Sequence, residues 1–264
     1  MAKTRIDVYL VECGLCESRE KAKRTVMAGL VLVNERPVFK PGETFKEEDL
    51  QTVRLKGDLC PYVSRGGFKL AKAIDVFNID MNNMIMLDVG SSTGGFTDCA
   101  LQHGAKKVYA LDVGTNQLVY KLREDKRVLV FEKTNFRTIS DDFFDTKFDV
   151  ITMDVSFISA KLLVENVASN LKDEGVFICL IKPQFEAGID AERNSKGVII
   201  DSDIHYKVVV DFVEDIQKYG LYTSKLINSP IKGQNGNREF LAYITKNDID
   251  VVDEKLIKRI VYNF

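Results

Sequence analysis

Residues 87–96, Leu87-Asp88-Val89-Gly90-Ser91-Ser92-Thr93-Gly94-Gly95-Phe96, bring an acid, several hydroxyls and three glycines to the point where an apolar run stops. Glycines at a strand-to-helix turn let backbone N–H groups approach a ligand with no Cβ in the way. The run is not a dinucleotide fingerprint, because Ser92 stands two residues after Gly90. Nor is it a phosphate loop, because no Gly-Lys-Ser/Thr closes it. Twenty-four residues after Asp88, the next apolar run ends at Asp112, followed by Val113 and Gly114. A carboxylate at the tip of a second strand can accept both hydroxyls of a ribose. Strand, Asp-x-Gly loop, helix, strand and Asp together predict a site for an adenosine-type cofactor.

Two more residues stand just past apolar runs: Asp154 after 148–153 and Lys182 after 175–181. Open α/β sheets bind ligands at that edge. Pro183 breaks its strand and fixes Lys182 at the rim. A lysine beside carboxylates suits proton transfer, since burial lowers its pKa and the acids raise it again. Asp88, at the end of its strand, is expected to brace the glycine loop rather than react. Asn135 and Phe136 follow the third strand, where an amide can bond a base edge and a ring can stack on it. No metal is expected. His103 and His205 are isolated, and Cys13-Gly14-Leu15-Cys16 lacks a second ligand pair.

These residues need a scaffold. From residue 84 the pattern alternates apolar strand and helix. Strands are expected at 84–89, 107–112, 128–131, 148–153, 175–181, 222–227 and 239–244, and helices near 95–103, 117–124, 160–170 and 202–219. Continuous apolar strands indicate a parallel sheet covered on both faces, hence a doubly wound α/β domain. The last two strands are joined by about eleven residues with no helix, too few for a parallel crossover, so a hairpin is expected there. A helix from Gly67 to about Phe77 precedes the sheet.

The first sixty residues differ in texture, reading as a small α+β module. A short helix carries Ile6, Val8, Leu10 and Val11. A second runs from an N-cap at Ser18 to a stop at Gly29, then come a β run at 30–34 and turn chemistry at Asn34-Glu35-Arg36-Pro37. The predicted division is 1–60 for this module, 61–66 for a linker and 67–264 for the α/β domain.

Formal charge is nearly balanced, with 37 Lys and Arg against 39 Asp and Glu, net −2. That excludes a wholesale polycation but not a local nucleic-acid footprint. Residues 1–60 hold eleven basic and ten acidic side chains, yet 19–24 carry Arg19, Lys21, Lys23 and Arg24 against Glu20 alone. Cations in a first helical turn oppose the macrodipole, which leaves two readings, a solvated helix face or a surface that serves a partner. No run approaches the ~18–20 apolar residues of a spanning helix, and the N-terminus lacks the apolar core of a signal peptide. Five scattered cysteines suit a reducing compartment, so a cytoplasmic location is expected.

Several runs carry a family resemblance over nearly the whole chain. They are Arg5-Ile6-Asp7-Val8-Tyr9-Leu10, Ser18-Arg19-Glu20-Lys21-Ala22, Ala28-Gly29-Leu30-Val31-Leu32-Val33-Asn34, Ser64-Arg65-Gly66-Gly67-Phe68-Lys69-Leu70, the 88–96 loop, and Ile181-Lys182-Pro183-Gln184-Phe185-Glu186. In these the chain resembles the TlyA family, which joins an S-four-like RNA-binding domain to an FtsJ-like class I methyltransferase domain with a Rossmann-like, mostly parallel seven-stranded sheet. The resemblance implies S-adenosylmethionine as cofactor and 2′-O-methylation of cytidine in ribosomal RNA; the family has also carried a haemolysin label. It also implies a catalytic Lys-Asp-Lys-Glu tetrad, which falls on Lys69, Asp154, Lys182 and Glu239. Pattern alone does not single out Lys69.

On that basis the cofactor is expected against Asp88, Gly90, Ser91, Ser92, Thr93, Gly94, Gly95, Phe96, Asp112, Val113, Asn135, Phe136 and Asp154. Lys182 is expected to take the ribose proton, oriented by Asp154 and Glu239, with Lys69 steadying the oxyanion. RNA is expected on Arg5, Arg19, Lys21, Lys23, Arg24 and Arg65, and on Arg193 and Lys196 of the long 185–197 loop. Two rivals are a non-enzymatic RNA-binding or ribosome-assembly protein and a membrane-active haemolysin. The intact loop and tetrad argue against the first, the lack of an apolar segment against the second.

Overall fold

The computed structural model describes residues 3–50, 52–55, 61–140, 142–188 and 190–262. Residues 58–60, which lead into the expected linker, and Ile189 in the 185–197 loop lie outside them. Contacts divide the chain into two compact units, Met1–Pro61 and Tyr62–Phe264.

The first unit runs β1 (Lys3–Arg5), α1 (Ile6–Glu12), α2 (Arg19–Met27), β2 (Val31–Val33), β3 (Arg36–Val38), β4 (Thr44–Lys46) and β5 (Val53–Leu55). Strand β1 pairs with β4, and β2 lies between β3 and β5, all antiparallel. The Ser18 hydroxyl caps α2 by accepting the Lys21 N–H, and Gly29 ends it at φ +68°. The turn is tighter than 34–37. Only Asn34 and Glu35 turn, both at positive φ as a two-residue hairpin requires, and Pro37 lies in the edge strand β3, where a missing N–H is tolerated. Ile6, Leu10, Val26, Val31 and Val38 fill the core.

The second unit runs α3 (Gly66–Phe77), β6 (Ile85–Val89), α4 (Gly95–Gln102), β7 (Lys107–Leu111), α5 (Tyr120–Arg123), β8 (Val128–Phe131), β9 (Phe148–Met153), α6 (Val164–Asn170), β10 (Leu171–Ile181), α7 (Pro183–Glu186), α8 (Ser202–Gln217), β11 (Tyr222–Asn228), β12 (Phe240–Thr245) and α9 (Glu254–Tyr262). The seven-stranded sheet has the order β11-β12-β10-β9-β6-β7-β8. Strands β6 to β10 are mutually parallel, while β12 is antiparallel to both neighbours, which confirms the expected hairpin. From β6 the chain leads to β7 on one side, and β9 lies on the other. The order therefore reverses between β6 and β9, the place where open α/β sheets bind ligands.

Alternate residues of the strands feed two cores. Leu87, Val89, Phe177, Cys179 and Ile181 pack with α6, α8 and α9. Met86, Val108 and Val150 pack with α3, α4 and α5, and Ile178 and Leu180 meet Ala73 and Phe77 of α3. The expected helix at 117–124 is confined to the single turn of α5, and 160–170 opens with a 3-10 turn before α6. Helix α9 is absent from the expected elements, although Asp253 caps the Leu256 N–H at 2.7 Å and Ile257 and Val261 form a buried stripe. Among the described residues no helix is long and apolar enough to cross a membrane.

Phe212 of α8 is fully buried against this sheet. Phe212→Ala is expected to destabilise the second unit by about 3–5 kcal/mol, measured by denaturant unfolding. A cost below about 1 kcal/mol would mean this face of the sheet is not tightly packed.

Candidate active site

Two cavities open at the C-terminal ends of β6 and β9, where the strand order reverses. One, of about 380 Å³, is lined by Lys69, Asp88, Lys182, Phe185, Lys232 and Glu239 among others. The other, of about 360 Å³, is more apolar and includes Leu111, Asp112, Val113, Asn135, Phe136 and Phe157. Gly90, Ser92, Asp154 and Ser156 line both, so they form the common wall.

That wall depends on a close approach. Gly90 has φ +81°, and a Cβ there would lie 3.1 Å from the Asp154 carbonyl. Behind it, Asp88 is buried and accepts the Thr97 hydroxyl at 2.7 Å and the Thr152 hydroxyl at 3.1 Å. It thus ties α4 and β9 to the loop, the bracing role expected of it. Burial pushes its carboxyl up to about 6, against the pull of the threonine bonds.

The acid of β7 is also engaged. Asp112 Oδ2 accepts the Ser92 N–H at 2.8 Å and Oδ1 the Gly114 N–H at 2.7 Å. Each carboxylate oxygen has a second lone pair for a ligand. The other expected cofactor residues divide by position. Ser91, Thr93, Gly95 and Phe96 line the first cavity, while Gly94 lies against Leu118 and Leu122 and lines neither. Asn135 Oδ1 accepts the Arg137 N–H at 3.0 Å. Phe136 is 2 % exposed, its ring committed to the core. Val113 and Phe157, 71 % and 84 % exposed, present the freer apolar surfaces.

The four tetrad positions meet in the first cavity. Lys69 Nζ lies 3.1 Å from Asp154 Oδ2 and 2.9 Å from Glu239 Oε2. Lys182 Nζ lies 2.6 Å from Asp154 Oδ1 and donates to Ser156 Oγ at 3.0 Å. This corrects the expected arrangement: the lysine held between Asp154 and Glu239 is Lys69, and the second partner of Lys182 is Ser156. Lys69 comes from the first turn of α3 and Glu239 from the residue before β12, which lies beside β10 and Lys182. Burial works against the Lys69 charge, but Asp154 and Glu239 outweigh it and hold Lys69 above the ordinary lysine range. Burial likewise opposes ionisation of Asp154, yet Lys182 and Lys69 hold it below the ordinary carboxylate range. With both lysines and both acids ionised, the set is neutral.

Pattern reading misses Ser156, Gln184, Phe185 and the 231–233 segment. Ser156 is two residues from Asp154, and Gln184 and Phe185 directly follow Lys182, so proximity to the motifs is the available signal. Glu186 ties these segments together: its carboxylate accepts the Ala160 N–H at 2.7 Å and the Ser159 hydroxyl. Burial raises its pKa. At Gly233 any Cβ would collide with the Glu239 carboxylate, so glycine lets 231–233 cross over the buried acid.

The cationic residues are less available than their count suggests. Asp7 is buried and bonds the Arg5 guanidinium at 2.9 and 3.0 Å, with Arg19 at 3.4 Å. The Arg5 hydrogen bond, against burial and aided by Arg19, lowers Asp7 to about 2. Lys21 pairs with Glu17 and Lys23 with Glu20, whereas Arg24 is exposed with no ion pair to the described residues. Arg193 donates to the Gln184, Gly188 and Ala191 carbonyls, so it shapes its loop. Arg65 and Lys196 are exposed, and Arg65 lines the first cavity. Among the described residues no cluster of His, Cys, Asp and Glu suits a metal. His205 is buried and its Nε2 donates to the Ile199 carbonyl at 3.1 Å.

Residues 4–50 match the S4 domain and residues 62–246 the FtsJ-like methyltransferase family. The chain is 47% identical over 243 residues to YqxC of Bacillus subtilis, named provisionally as an rRNA methyltransferase, covering 92% of this chain and 85% of that one. It is 33% identical over 242 residues to the 16S/23S rRNA (cytidine-2'-O)-methyltransferase TlyA of Mycobacterium tuberculosis, covering 92% and 90%. A solved structure from Streptococcus thermophilus, provisionally called a hemolysin, superposes with a TM-score of 0.75 at 45% identity, over 100% of this chain and 97% of that one.

The Asp88 carboxyl gives a pH signature. Its folded pKa, about 6, is above the unfolded value of 3.8. Its contribution to stability is therefore complete below about pH 4 and lost as pH rises through about 6. Asp88→Asn should gain stability relative to wild type over that window, by about 2–3 kcal/mol, in denaturant titrations at stepped pH. A difference flat with pH would exclude a raised Asp88 pKa.

Proposed function

The chain belongs to the TlyA family of FtsJ-like methyltransferases, and on that premise we propose that it methylates the 2′-hydroxyl of a cytidine ribose in ribosomal RNA, using S-adenosylmethionine. The observation that carries this is the common wall of the two cavities. It sets an apolar pocket with Asp112 at its polar end beside a pocket holding Lys69, Asp154, Lys182 and Glu239.

The residues present fit the cofactor. Asp112 has lone pairs for ribose hydroxyls, Val113 and Phe157 offer apolar surface, and Gly90 leaves room beside Asp154. When bound, S-adenosylmethionine supplies an electrophilic methyl on a positive sulfur. The chain's own work is on the oxygen that receives it. A ribose hydroxyl is a weak nucleophile and must shed its proton as the new bond forms.

Lys182 takes that proton, its amine held by Asp154. Lys69, kept charged by two acids, provides a fixed positive charge for the developing oxyanion. Orientation would supply much of the remaining gain, because the cofactor pocket and the tetrad pocket share one wall. The S4 domain supplies RNA affinity from Arg24 and from Arg19 and Lys23. The exposed Lys23–Glu20 pair is worth at most about 1 kcal/mol, so a phosphate can displace Glu20, while Arg19 keeps its contact with buried Asp7 and has further N–H groups to offer.

Two outcomes are expected. Lys182→Ala and Lys182→Arg should each lower methyl transfer to ribosomal RNA by at least about 100-fold, read by mapping 2′-O-methyls after incubation with S-adenosylmethionine. Near-normal turnover in both would remove Lys182 from the chemistry. Neutralising Arg19, Lys23 and Arg24 together should weaken RNA binding. The slope of log affinity against log salt should also flatten, by about one unit for each phosphate no longer neutralised. Unchanged affinity across salt would show that RNA docks elsewhere.

A further inference from the structure

Lys182 has a second partner that lies outside the tetrad. Its Nζ donates to Ser156 Oγ at 3.0 Å while lying 2.6 Å from Asp154 Oδ1. Ser156 also belongs to the wall shared by both cavities. A tetrahedral nitrogen has three positions besides its carbon. Asp154 and Ser156 occupy two, and one remains for a substrate oxygen.

We propose that Ser156 is a positioning residue, which fixes rotation about the Lys182 Cε–Nζ bond so that the amine lone pair meets the attacking ribose oxygen. This rests on the methyl-transfer function proposed above. To act as base Lys182 first sheds a proton to solvent, and the neutral amine then carries two N–H bonds and one lone pair. With the N–H bonds committed to Asp154 and Ser156, the lone pair takes the third position. As O2′–H breaks, Nζ–H forms; the oxygen pair makes the O–CH3 bond, and the S–CH3 pair stays on sulfur. Without the Ser156 hydroxyl only Asp154 holds the amine, and in one of the two staggered orientations then left it presents N–H to the oxygen instead.

The surroundings are built to hold Ser156 still. The Asp154 N–H donates to the Val89 carbonyl at 3.2 Å, which anchors one end of its loop to β6. Glu186 anchors the other end through Ser159 and Ala160, and Glu186 lies on α7, directly after Lys182. Between the anchors, Phe157 adopts φ +66°, a left-handed conformation that a bulky residue keeps only when its surroundings enforce it. Lys182 and Ser156 are thus braced against each other through one short helix.

The test compares Ser156→Ala and Ser156→Thr in the full chain, with ribosomal RNA and S-adenosylmethionine. Ser156→Ala should lower kcat roughly 10-fold with KM for RNA within about twofold. Ser156→Thr keeps the hydroxyl and should restore kcat. Cofactor affinity, measured by calorimetry, should stay within about twofold in either variant. Wild-type kcat in Ser156→Ala would overturn the proposal. So would a parallel loss of cofactor affinity that threonine does not repair, since Ser156 would then be only a wall of the cofactor pocket. If the wild-type chain methylates no ribose hydroxyl, the proposed function itself fails, an outcome distinct from both.

Discussion

Two lysine ammonium groups cannot be buried a few ångströms apart without anions between them. Asp154 meets that requirement, one carboxylate oxygen facing Lys69 and the other Lys182. Glu239 supplies the second negative charge, on Lys69. The rest of the site follows from placing this one carboxylate. It must leave the sheet where β6 and β9 diverge, so that a cofactor pocket lies on one side and a substrate pocket on the other. It must also be approached closely by the 88–96 loop, which is why position 90 has no side chain. Removing either lysine or either acid leaves an uncompensated charge in a buried setting, so all four positions are constrained together.

The same device appears at smaller scale in the first unit. Asp7 is buried in α1 and holds Arg5 and Arg19, which belong to different elements, in one cluster. Part of the positive charge there therefore organises the fold. A basic face for RNA is left to Arg24 and to pairs at the surface that a phosphate can exchange.

What the sequence makes legible depends on whether a residue's role is written in its neighbours. Continuous apolar runs reveal the parallel strands, because both faces of each are covered. Asp154 and Lys182 stand at the ends of such runs and are visible for that reason. Lys69 sits in a helix with nothing local to mark it; its partners are 85 and 170 residues away, and only family resemblance finds it. Which lysine faces Glu239 is a matter of three-dimensional placement, so sequence order assigns that acid to the wrong lysine. Helix α9 has a cap and an apolar stripe, both readable. The 3-10 turn before α6 and the shortening of α5 answer to packing that no local pattern records.

One feature of the sheet bears on when the protein becomes competent. Strand β12 is the last of the described strands in chain order, yet it inserts between β10 and β11 and carries Glu239 in behind it. Lys69 comes from the opening helix of the same unit. The charge set is therefore closed by the longest-range pairing in the site, which cannot form on a partly synthesised chain. A nascent chain can assemble its cofactor loop early, from β6, α4 and β7. It then carries two lysines facing a single acid until β12 arrives. The tetrad is therefore complete only once the last described strand of the sheet is made and paired.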